Sequence, residues 1–121
     1  MNTTSLDLSK RIATLEGGKG ESEYVWSLEQ NGDDYNTYLR KSDVKAKWYV
    51  NDYFPALTTD ELLERLPAST SLLKRTDMDT KTIARYYAET FEHHFQDIHA
   101  DTPAEALGLL YEHLLIKGLI T

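Results

Sequence analysis

The last twenty residues, Thr102 to Thr121, constrain the chain most. Thr102-Pro103-Ala104-Glu105 has the form of a helix start. The Thr102 hydroxyl can accept from the N–H of Glu105, and Glu105 can reach back to the N–H of Thr102, a capping box. Pro103 falls at the first helical position, where its missing N–H costs nothing. Leu107, Leu110, Tyr111 and Leu114 recur at helical spacing and predict one apolar face, widened by Leu109 and Ile116. Gly108 costs about 1 kcal/mol against alanine in a helix, so its presence predicts a close approach by another backbone. Gly118 sits where a left-handed residue ends a helix, and Leu119 can fold back on Leu114. A helix this apolar must lie on something, and the rest of the chain has to supply it.

A first short helix is predicted over residues 4 to 16. Thr4 or Ser5 is its cap, Leu8, Ile12 and Leu15 share one face, and Gly17-Gly18 stops it. Glu23 to Glu29 then alternates as a half-buried strand. Tyr24, Trp26 and Leu28 are expected inward, with Glu23, Ser27 and Glu29 outward. Asn31-Gly32-Asp33-Asp34 is turn chemistry, and Tyr35 to Arg40 can return as a second strand. Tyr38, with Asn36 beside it, is the candidate to face inward. The loop looks longer than two residues, so the register stays open.

Thr58-Thr59-Asp60-Glu61 is a second capping box, with Leu57 and Leu62 placed for a hydrophobic staple and Pro67 as the stop. Thr70 to Arg75 reads as a strand and Asp77 to Thr80 as a turn. Two readings compete beyond Lys81. Ile83, Tyr87, Phe91, Phe95 and Ile98 recur at helical spacing, whereas the many β-branched and aromatic residues favour two strands, roughly 82 to 89 and 92 to 100. No glycine or asparagine near Thr90 marks the turn of such a hairpin.

Two long stretches carry a resemblance. They are Tyr53-Phe54-Pro55-Ala56-Leu57-Thr58-Thr59-Asp60-Glu61-Leu62-Leu63-Glu64-Arg65-Leu66-Pro67 and the run from Ala100 to Ile120. With the β-rich stretch between them, they resemble small proteins of bacteriophages and prophage regions. The resemblance spans the chain from Trp48 onward and rests on helix caps and core leucines. It implies β structure before the last helix, which favours the hairpin for 82 to 100, and it implies no activity.

The expected fold is therefore a single α+β domain over residues 1 to 121. A small antiparallel sheet would pack against the C-terminal helix, with two shorter helices beside it. The alternative is a mainly helical fold pairing 80–98 with 102–117.

The function classes narrow further. The chain has no cysteine, which excludes disulfides and thiol chemistry. A net charge of −7 opposes non-specific binding of nucleic acid. No apolar run could span a bilayer and the start lacks the form of a signal peptide, so a cytoplasmic protein of a bacterial host is expected. Lys41 to Tyr49 is the one basic cluster. Its bases run into Trp48 and Tyr49, a pattern that can hold single strands by charge and stacking, although a solvated loop explains it too. His93, Asp97 and His99 would share a face in a strand and could hold a metal ion; a polar edge is the plainer explanation. No phosphate-loop, dinucleotide or nucleophile-elbow motif is present, and no cofactor is expected.

Eight tyrosines and two tryptophans exceed what a core of this size needs. Such amphipathic aromatics favour interfaces, and Trp26, Trp48, Tyr49 and Tyr53 are the candidate contacts. The leading expectation is a non-enzymatic accessory protein acting through a protein partner or as a homo-oligomer. A small metal-dependent enzyme and a nucleic-acid-linked regulator are the alternatives.

Overall fold

The computed structural model describes residues 2–18, 21–44, 49–76, 84–91 and 98–120. Among these lie three helices, α1 (Leu6–Leu15), α2 (Thr59–Arg65) and α3 (Pro103–Ile116). Six strands accompany them: β1 (Tyr24–Asn31), β2 (Asp34–Lys41), β3 (Tyr49–Ala56), β4 (Thr70–Thr76), β5 (Ala84–Thr90) and β6 (His99–Ala100). The fold is α+β. Its strands form two antiparallel sheets, ordered β2-β1-β3 and β4-β5-β6.

A chain of contacts joins the sheets: β3 against α1, α1 against α3, and α3 against β5 and β6, with α2 also on α3. The expected α3 stripe is the core. Leu107, Leu110 and Leu114 have no exposed surface and Tyr111 is buried. Ala104, Ala106 and Gly108 are buried too, because α3 is covered from several sides. Ile116, by contrast, is 61% exposed. The second sheet meets α3 through small residues, Ala88 and Ala100, which let helix and sheet lie close.

Cap chemistry sets the helix ends. Ser5 caps α1 through its side chain to Leu8 N. Gly17 and Gly18 end it with positive φ, their N–H groups donating to Thr14 and Ala13. The α3 end repeats this motif: Gly118 (φ 69) donates to the Leu115 carbonyl and Leu119 to that of Leu114.

The α2 box closes as expected, Thr58 Oγ1 accepting from Glu61 N and Glu61 Oε1 from Thr58 N. The α3 box does not. Thr102 Oγ1 accepts from Glu105 N, but Glu105 Oε1 takes the N–H of Ser5 at 2.9 Å, tying α3 to the start of α1. Gly108 also differs from expectation, since side chains rather than backbone crowd it. A Cβ there would lie 2.6 Å from Thr4 Cγ2 and 2.8 Å from Leu8 Cδ2.

Residues 84–90 and 99–100 pair antiparallel, Tyr86 with Ala100 and Tyr87 with His99, so this region is β in its described parts. The turn expected over 77 to 80 lies outside the described residues. Strand β3 has no clear signal in the sequence. Its alternation is broken by a bulge, where Leu28 pairs with Asp52 but Glu29 with Val50, and by Pro55 near its end. Pro55 is tolerated because β3 is an edge strand of its sheet.

Candidate interaction surface

The loop between β1 and β2 proves to be two residues, Gly32 and Asp33, with Asn31 opposite Asp34. That register places Leu39 opposite Trp26 and Tyr38 opposite Ser27. Tyr38 and Asn36 therefore share the face of Ser27 and Glu29, not the inner one, and both are exposed. Trp26 is on the inner face, its indole Nε1 donating to the Thr4 carbonyl at 2.9 Å.

The face expected to be solvated is the more buried one at its centre. Ser27 is 0% and Glu29 1% exposed. Glu29 can be buried because it is paired. Arg40 donates from Nε to Oε2 (2.5 Å) and from Nη2 to Oε1 (3.0 Å), and the Ser27 hydroxyl donates to Oε2 at 2.7 Å. The Arg40 guanidinium lies 4.8 Å from the ring centre of Tyr38. Its pKa is raised, chiefly by the hydrogen bond to Glu29, while burial acts the other way. Arg40 stands opposite Val25 and Glu29 opposite Asn36, so the arginine reaches four residues along the ladder, over Tyr38, and neither alternation nor cross-strand neighbours point to the pair.

Four tyrosines stand exposed on the same sheet. Tyr38 and Tyr53 flank Ser27 from the two neighbouring strands; Tyr35 and Tyr49 flank Gln30. They are 36%, 51%, 61% and 71% exposed. Tyr35 lies three residues from Tyr38 and so faces the other way by alternation, and the bulge turns Tyr49 off the face of Tyr53, so both surfaces of the sheet present phenols. Of the expected contacts, Tyr49 and Tyr53 are thus exposed and Trp26 is turned inward. Trp48, Lys45 and Lys47 lie outside the described residues.

The second sheet carries His99 on its outer face. Its Nδ1 accepts from Arg85 Nε at 2.9 Å, and its ring lies 5.1 Å from that of Tyr87. Arg85 also pairs with Asp101 at 3.2 Å. His93 and Asp97, the other members of the expected metal set, lie outside the described residues. Among the described residues no cluster of three histidine, aspartate or glutamate side chains could hold a metal ion. A groove of about 460 Å³ runs from Arg85 and His99 past Asp101 and Glu105 to Ser5. Its guanidinium is already answered by an acid, so it offers mixed polarity rather than a charged pocket.

Among the described residues no helix is long and apolar enough to cross a membrane. No protein-family model, curated protein or solved structure matches the chain.

Proposed function

We propose that this chain is a non-enzymatic accessory protein, of phage or mobile-element origin, that works in a bacterial cytoplasm by binding protein through its β2-β1-β3 sheet. One observation carries the reading: Tyr35, Tyr38, Tyr49 and Tyr53 all stand exposed on that sheet. Tyrosine offers a large, stiff contact area with a polar tip, which suits a surface that must be soluble alone and adhesive when paired. The buried Glu29–Arg40 pair holds the strands beneath in one register, so the phenols are presented from a rigid base. The caps and core leucines that resemble phage-encoded proteins support the origin.

The test is capture from a bacterial host extract on immobilised protein, with Tyr49→Ser/Tyr53→Ser beside wild type. Leu73→Ser, at an exposed position on the other sheet, is the control. A protein retained by wild type and control but lost with the tyrosine pair supports the proposal. Retention indifferent to the tyrosines, or none at all, would sink it.

A further inference from the structure

The unpaired side of β2 is chemically specified. Ser42 N–H donates to the Glu23 carbonyl at 2.9 Å, which makes 23 and 42 a hydrogen-bonded pair. The two pair types alternate along an antiparallel ladder, so Arg40, Tyr38, Asn36 and Asp34 spend their backbone groups on β1. Those of Tyr35, Thr37, Leu39 and Lys41 point away from it. Among the described residues no strand lies on that side, and β2 pairs with β1 without proline or bulge. Such an edge is a template for another strand.

Its charges select the strand. β2 is entered through Asp33 and Asp34 and left through Arg40 and Lys41. A second copy laid antiparallel about a two-fold axis must set residues of one face opposite each other, which permits Thr37 opposite the partner's Thr37. That register places Asp34 opposite the partner's Arg40 and brings Asp33, in the turn just before β2, beside the end of the partner's strand at Lys41, each twice by symmetry. Slipping by one permitted step, Tyr38 opposite the partner's Tyr38, sets Asp34 against Ser42 and loses the complementarity.

We infer that two copies of this chain pair through β2, Thr37 against Thr37, making one six-stranded sheet whose acidic and basic strand ends neutralise each other. This deepens the interaction reading above by naming a second copy as occupant.

The absence of cysteine makes a clean test. Thr37→Cys should oxidise to a disulfide-linked dimer, faster than Tyr38→Cys and faster than Ser71→Cys on the exposed β4. Light scattering of the wild type should show a dimer, weakened at least about tenfold by Asp34→Lys, which sets like charges opposite. Equal oxidation at all three positions, fastest oxidation of Tyr38→Cys, a monomeric wild type at millimolar concentration, or an Asp34→Lys dimer of full strength would each overturn the inference. A monomer whose tyrosines still capture a host protein would refute the β2 pairing alone and leave the broader proposal standing.

Discussion

Arg40 grips Glu29 with both Nε and Nη2 at a carboxylate whose side chain has no exposed surface. The pair differs in kind from Arg11–Glu112, where the arginine is half exposed. Removing one partner from a buried pair strands the other charge, while surface pairs contribute little. Arg40→Met should therefore lower Tm by roughly three times the fall caused by Arg11→Met. Adding Glu29→Gln to Arg40→Met should restore part of the loss, because the stranded charge is gone. Thermal unfolding of the four proteins checks both.

Gly108 gives a packing prediction with an internal control. Alanine there gains about 1 kcal/mol of helix propensity. The new Cβ, however, meets Thr4 Cγ2 at 2.6 Å. Thr4 cannot easily yield: its Oγ1 accepts from Leu57 N, its N–H donates to the Leu57 carbonyl, and its own carbonyl takes the Trp26 indole. Overpacking of about 1–3 kcal/mol should win, so Gly108→Ala is destabilising. In a Thr4→Ser background the nearer clashing methyl is absent and the hydroxyl kept, leaving only the end of the flexible Leu8 side chain to yield, so the same substitution should cost less. Denaturant unfolding of the double-mutant cycle measures the difference.

Tyr111 ties the body of α3 to the end of α1. Its hydroxyl donates to Glu16 Oε2 at 2.7 Å, at the end of α1. Burial first, and that hydrogen bond second, push its pKa up to about 12, against a smaller opposite pull from Arg65. An unfolded tyrosine ionises near 10. Above that pH the unfolded chain releases this proton and the folded chain keeps it, so unfolding is favoured. The contribution is complete below about pH 10 and is lost as pH rises toward 12. Tm should fall over that window, and Tyr111→Phe should flatten the fall. At neutral pH the same substitution should cost about 1.5–3 kcal/mol, the range for hydrogen bonds to charged groups.

What the sequence made legible was local. The N-caps Ser5, Thr58 and Thr102, the glycine stops and the leucine stripe of α3 all depend on residues within a turn of each other, and all stand where expected. What it concealed depends on pairing. Whether Tyr38 faces in or out is decided by one residue of loop length at Gly32-Asp33, and period-two alternation survives either choice. Strand β3 hid because its bulge changes the parity of Tyr49 relative to Tyr53. Alternation points Glu29 to solvent, because the partner that lets it be buried lies eleven residues away on another strand. Of the candidate surface, Tyr49 and Tyr53 were readable as surplus aromatics; that Tyr35 and Tyr38 join them needed the register.

Two near-identical signals with different outcomes give the last prediction. Thr58-x-x-Glu61 and Thr102-x-x-Glu105 both predict a closed box, yet only the first closes. Near Thr102, Asn2 Oδ1 accepts from Ala104 N at 3.2 Å, so the α3 start has a second acceptor from outside the helix. Glu105 is thereby released to take Ser5 N, at the cap of α1. Its role is to dock α1 rather than to hold α3. Glu105→Ala should then cost about 1–2 kcal/mol, and the loss should be local to α1. Amide exchange should quicken at Ser5 and the first turn of α1, while the first turn of α3 keeps its protection through Thr102 Oγ1 and Asn2. Thr102→Ala should do the reverse. Glu61→Ala removes acceptors of both Thr58 N and Glu23 N, so it should loosen α2 and the approach to β1 together. Faster exchange in α3 than in α1 on loss of Glu105 would return that residue to an ordinary cap.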